Sequence, residues 1–260
     1  MSLLSKIFRV FGNSRTEVKK TTEMPRAGNK EPICPYCSST LDKMPGRKKK
    51  CPSCSQFMYV RTCPDERVKI LVREDQIELI EEKWAIENGT HEQFLAEKRD
   101  REETKNKLMS QGINTPTDLD VKWEQLKVSL PKLASEYKWG LYRNARLGMG
   151  DVLKKQGKLS EALDTYLEVC FIDLNGPNNC GTKDPELLKM FPPFEPKSAF
   201  LAPGVLGYID KLCKELNVKP EDLGSRFISL SSNVEHQLKL PLSADEAWKE
   251  LSGELRCPQT

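Results

Sequence analysis

Four cysteines carry the clearest chemistry in this 260-residue chain: Cys34-Pro35-Tyr36-Cys37, an interval of thirteen residues, then Cys51-Pro52-Ser53-Cys54. A Cys-x-x-Cys pair on a tight turn aims two thiols at one point. A hairpin between two such pairs brings them face to face around one tetrahedral ion, for which zinc is the usual choice. Zinc lowers thiol pKa values enough to bind all four as thiolates, leaving a net dianionic complex. Four sulfurs fill the coordination sphere, so the site is expected to be structural and not catalytic. Two disulfides of a secreted domain, or a thioredoxin-type redox pair, are the competing uses of such spacings. Cys63, Cys170, Cys180, Cys213 and Cys257 show no paired spacing, and no βαβ pattern surrounds the two pairs.

The elements that must position these turns are short. The hairpin between them carries Lys43 and then Arg47-Lys48-Lys49-Lys50 directly before the second pair. Beyond it Phe57 to Thr62 alternates like a strand, with Phe57, Tyr59 and Arg61 on one side, and residues 67–72 read as a further strand. Over about residues 32–62 the chain resembles the zinc-ribbon family, in which two knuckles on hairpin turns carry a small three-stranded sheet. The resemblance implies one structural Zn2+ held by Cys34, Cys37, Cys51 and Cys54. The family often has glycine after each second cysteine, where this chain has Ser38 and Ser55.

Cations beside exposed rings suit a nucleic-acid backbone, because the cations meet phosphates and the ring faces stack on bases. Lys43, Arg47, Lys48, Lys49, Lys50, Tyr59 and Arg61 are the candidates for that contact. The competing reading makes the lysines a solvated hairpin tip and the aromatics the internal core of a very small module. Charge distribution bears on the choice. The chain totals +3, but residues 1–73 hold sixteen Lys and Arg against six Asp and Glu, a formal +10, and the rest is −7. A basic module joined to an acidic body is the pattern, and the basic end is the candidate for a polyanion.

Taken in order, residues 1–11 read as a short amphipathic helix with Leu3, Leu4, Ile7, Phe8 and Phe11 on one face. It is too short to stand alone in water and is expected to dock on protein, its own or a partner's, rather than on lipid. Residues 12–31 read as a flexible linker, 32–72 as the ribbon and 73–111 as connector helices. The first connector helix carries Ile77, Leu79, Ile80, Trp84 and Ala85 and ends at Asn88-Gly89. The second opens at Thr90, with Gln93 completing a capping box, and Glu97–Arg101 and Glu103–Lys107 pairs support it. Residues 112–260 read as all helical: a helix holding Leu119, Trp123, Leu126 and Leu130, a new one from Pro131, and three closing helices, the last capped by Ser243 and Glu246. Phe191, Phe194 and Phe200 are expected to pack a proline-rich stretch onto the helices.

Residues 143–173 resemble one tetratricopeptide repeat: Gly150 at the close approach of two helices, Gly157 in the turn, Ala162 at the crossing and Tyr166 filling beside it. One unit does not bury its own face, so the pair is either architectural or part of a groove for an extended peptide. The whole is similar to bacterial and phage-borne proteins that begin with a zinc ribbon and continue into helices. The fold expected is therefore mostly α with a small N-terminal β ribbon and a helical-repeat-like C-terminal domain.

With only His91 and His236, a histidine-based catalytic metal site is not expected, and no Walker loop, Gly-x-Ser-x-Gly or His-Glu-x-x-His occurs. No apolar run reaches the roughly eighteen residues of a membrane span. Reduced cysteines suggest a cytoplasmic location. The expected function is non-enzymatic: an adaptor whose ribbon meets nucleic acid, or a machine bound to it, and whose helices meet protein. The alternative is a protein-only scaffold or assembly protein in which the ribbon is a protein interface.

Overall fold

The computed structural model of the chain describes residues 27–256. The amphipathic segment 1–11, most of the expected linker and Cys257 lie outside them. The described chain is mostly α with one small antiparallel sheet. The described residues divide into two compact units, parted between Glu97 and Lys98.

In the N-terminal unit the strands β1 (Lys49–Lys50), β2 (Phe57–Thr62) and β3 (Lys69–Val72) pair antiparallel in sequence order. The register sets Lys50 against Phe57, Tyr59 against Val72 and Arg61 against Ile70. Strand alternation gives this sheet two covered faces. Met58, Val60 and Leu71 pack with Cys34, Cys51 and Leu41 on one. Ile70, Val72 and Tyr59 pack with Ile77, Ile80 and Trp84 on the other. That double covering explains why Ile70, Leu71 and Val72 are consecutive and all buried.

The second cover is α1 (Ile77–Glu87), which follows a 3-10 turn at Glu74–Gln76. The sequence reading placed this helix in the connector. Its apolar stripe needs a partner and finds the sheet, and Trp84 Nε1 fixes it by donating to the Thr62 carbonyl at 2.9 Å. Residues 27–31, expected as the end of the linker, instead extend the sheet. Asn29 and Leu71 exchange both backbone hydrogen bonds at 2.8 Å. Gly28 has φ +77°, and a Cβ there would lie 2.6 Å from Val72 Cγ1, so the close approach requires glycine.

Helix α2 (His91–Ser110) begins differently from the expected capping box: Thr90 Oγ1 donates to the Ala85 carbonyl at 3.4 Å, and Gln93 donates to Glu97. In the helical unit, α3 (Asp118–Ser135), α4 (Trp139–Lys155), α5 (Leu159–Leu174), α6 (Pro185–Met190), α7 (Pro203–Leu216), α8 (Pro220–Leu238) and α9 (Ala244–Glu254) follow. The charged second half of α2 reaches across to α3: Arg101 pairs with Asp118 at 2.6 Å and Lys107 with Glu124 at 2.9 Å. Pro131 lies inside α3 and starts no new helix. It is exposed, as is Lys127, whose carbonyl loses a partner on the wet side of the helix.

The core is built around α5, buried from Ala162 to Leu174 except at a few positions, with Phe171 edge-on to Phe227 at 5.9 Å. A helix apolar on nearly all sides must be enclosed, and α4, α7, α8 and α9 enclose it. Gly150 faces Tyr166 so closely that a Cβ would come within 2.8 Å of the ring, and Gly157 turns the chain with φ +76°. Buried Asp173 receives Arg143 bidentately at 2.6 and 2.5 Å. Burial pushes the Asp173 carboxyl up while Arg143 works against that shift. Of three phenylalanines expected to pin the proline-rich stretch, only Phe194 is buried, against Trp139 at 5.0 Å. Phe191 and Phe200 are exposed.

Candidate metal centre

The two cysteine turns have one backbone frame. Cys34 N–H donates to the Ser39 carbonyl at 2.9 Å and Ser38 N–H to the Cys34 carbonyl at 3.0 Å; the second turn repeats this with Cys51, Gln56 and Ser55 at 2.8 and 2.9 Å. Ser38 and Ser55 stand where the ribbon pattern favours glycine, and they take left-handed φ values of 59° and 58°. A third turn uses the same frame. In Cys63-Pro64-Asp65-Glu66, Cys63 N–H donates to Val68 at 2.8 Å, Arg67 N–H to Cys63 at 2.9 Å, and Arg67 has φ 57°. Here Glu66 replaces the second cysteine and pairs with Lys30 at 2.5 Å. The Cys-Pro dipeptide that opens each of these three turns was the sequence signal for it, and it occurs once more, at Cys257-Pro258.

The frame points backbone N–H groups at sulfur. Tyr36 and Cys37 donate to Cys34 and Ser39 to Cys37; Ser53 and Cys54 donate to Cys51 and Gln56 to Cys54. Such donors favour thiolates. The Ser39 hydroxyl, then backbone N–H groups, pull Cys51 down to about 5 and lower Cys37 as well. Burial raises Cys34. Gln56 N–H favours the Cys54 thiolate, yet burial and the three neighbouring sulfurs push it up to about 12. Four sulfurs this close do not all ionise unaided, and a bound cation is what lets them.

Geometry matches that requirement. The four Sγ atoms lie within 4.8 Å of one another, with Cys34–Cys54 at 3.8 Å and Cys37–Cys51 at 3.7 Å. A tetrahedron with metal–sulfur bonds of about 2.3 Å has edges of about 3.8 Å. A disulfide would need about 2.05 Å. The four cysteines therefore form a site that could hold one metal ion, and tetrahedral four-sulfur sites take zinc or iron.

The basic candidates separate by strand face. Lys48 Nζ lies 4.4 Å from the Phe57 ring centroid and 4.6 Å from that of Tyr59; Lys50 lies 5.1 Å from Phe57, and Arg61 6.0 Å from Tyr59. Lys49 sits opposite Met58, on the other face of the sheet. Lys43, Arg47 and Lys49 are exposed. Tyr59, expected as a stacking ring, is half-buried and donates to Glu74 at 2.7 Å. Phe57, which the site reading omitted, is the exposed ring of the strand, at 43%. Its place at the start of β2, beyond the cover of α1, was not visible from alternation alone. His91 Nε2 bonds Glu82 at 3.0 Å. Among the described residues no helix is long and apolar enough to cross a membrane.

Comparison of the chain with family models, with curated proteins and with solved structures gave no match.

Proposed function

We propose that the chain is a zinc-binding adaptor without enzymatic activity, whose N-terminal unit contacts nucleic acid and whose helical unit contacts protein. The observation that carries the reading is the row of Lys48 and Lys50 around exposed Phe57. Ammonium groups held beside one accessible ring supply both phosphate contact and a stacking surface. The protein-only scaffold is the second reading. It is supported by Tyr59, which is packed and tied to an acid rather than offered to a base, and by the α4–α5 hairpin, which resembles a tetratricopeptide pair.

A salt titration by fluorescence anisotropy decides between them. Single-strand affinity should fall steeply with salt, with a slope of about 0.7 per phosphate neutralised. Replacing Lys48 and Lys50 together by Gln should flatten that slope. Phe57→Ala should cost about 1–3 kcal/mol on single strands. Wild type that does not bind at low salt, or a double variant with an unchanged slope, leaves the scaffold reading in place.

A further inference from the structure

Ser39 stands at the seam between the two metal-holding turns, at a position where the three turns of common frame differ. The carbonyl that accepts from the leading cysteine belongs to Ser39 in the first turn, Gln56 in the second and Val68 in the third. Only the first of these is a hydroxyl residue. Ser39 Oγ lies 3.2 Å from Cys37 Sγ and 3.4 Å from Cys51 Sγ, so it touches one sulfur from each turn. Those two sulfurs form a 3.7 Å edge of the cluster, one that includes exposed Cys37.

We propose that Ser39 is a positioning residue of the metal centre, whose hydroxyl donates to the thiolates of the Cys37–Cys51 edge and holds the ion against loss there. This rests on the metal reading of the four cysteines and adds a member outside the ligand set. A tetrathiolate around a divalent ion carries two net negative charges, which backbone N–H groups share out equally between the turns. The Cys37–Cys51 edge needs a further donor because Cys37 is exposed, and water there competes for both sulfur and metal. One hydroxyl proton serves one sulfur at a time. Its closeness to both ties the first turn to the second without a further ligand. Partners of this outer kind are worth about 10–100-fold in metal affinity.

The test uses the full chain as wild type, Ser39→Ala, Ser39→Thr and Ser53→Ala, the last removing an exposed hydroxyl from the second turn. Zinc affinity is read by chelator competition, and the sulfur-to-cobalt charge-transfer band by absorption after cobalt substitution. Ser39→Ala should bind zinc about tenfold more weakly. Its band should move to longer wavelength, since a sulfur lone pair without its donor lies higher in energy. Ser39→Thr and Ser53→Ala should match wild type in both. Wild-type affinity and an unmoved band in Ser39→Ala would overturn the proposal. So would a Ser39→Thr as weak as Ser39→Ala, which would assign the effect to packing. A wild type that holds no metal would overturn the metal reading itself, a distinct outcome.

Discussion

Under the cysteines the N-terminal unit buries Met58 and Leu71, and under α1 it buries Ile70, Val72 and Ile80, in two separate small groups. The helical unit buries Tyr166, Phe171, Phe227 and their neighbours in one continuous group around α5. Small groups of this kind do not offset the entropy of ordering a sheet and its loops without a further tie. A four-sulfur metal centre is such a tie, because its binding free energy is folding free energy. The contrast predicts that a metal-loaded N-terminal unit and the helical unit keep their shape by different means, and it should break along that line.

The largest effect is expected from the metal. Cys51→Ser, or chelation of wild type, removes a tie worth about 10–16 kcal/mol in comparable zinc modules. Amide protection should vanish from β2 and β3, while far-UV circular dichroism keeps most of the helical signal. Protection that survives in the sheet would show that its two apolar groups suffice.

Next comes the reciprocal cut. Phe171 is fully buried, and Phe171→Ala should cost the helical unit about 3–5 kcal/mol through lost transfer energy and an unfilled cavity. Urea denaturation followed at 222 nm measures it, and metal content should not change. A loss of metal in this variant would show that the two units do not fold independently.

Acid gives the smallest and most selective effect. Asp120 and Glu246 are held below the ordinary carboxylate range, chiefly by the Thr117 and Ser243 hydroxyls and then by their backbone N–H groups. A carboxyl with a lower pKa folded than unfolded adds stability that is fully present above the unfolded value, about 4. That stability is lost as pH falls through the folded value. The helical unit should therefore weaken below about pH 4, and a Thr117→Ala, Ser243→Ala double variant should show a shallower dependence in that range. An unchanged dependence would show that the two capping boxes add nothing to stability in that range.

The four cysteines and their strands were legible because a metal turn is a local object: its ligands lie within four residues of each other, and its backbone bonds close within six. Helix α9 was legible for the same reason, its Ser243–Glu246 box spanning one turn. By contrast, the placement of α1 against the sheet, the pairing of Asn29 with Leu71 and the exposure of Phe57 join residues far apart in sequence, and periodicity shows a buried face without showing what buries it. Pro131 misled because a proline inside a helix costs less where water can take up the carbonyl it leaves unpaired, and only the packed structure reveals which side of α3 is wet. Ser39 lies outside any Cys-x-x-Cys pattern; its hydroxyl reaches Cys51 only when the two turns meet. The sequence by itself thus determined the two cysteine turns, the charge asymmetry and most helices, which rest on neighbours in the chain. The tertiary structure alone decided which faces are covered, which ring is free and which hydroxyl reaches sulfur, because those depend on elements brought together by folding.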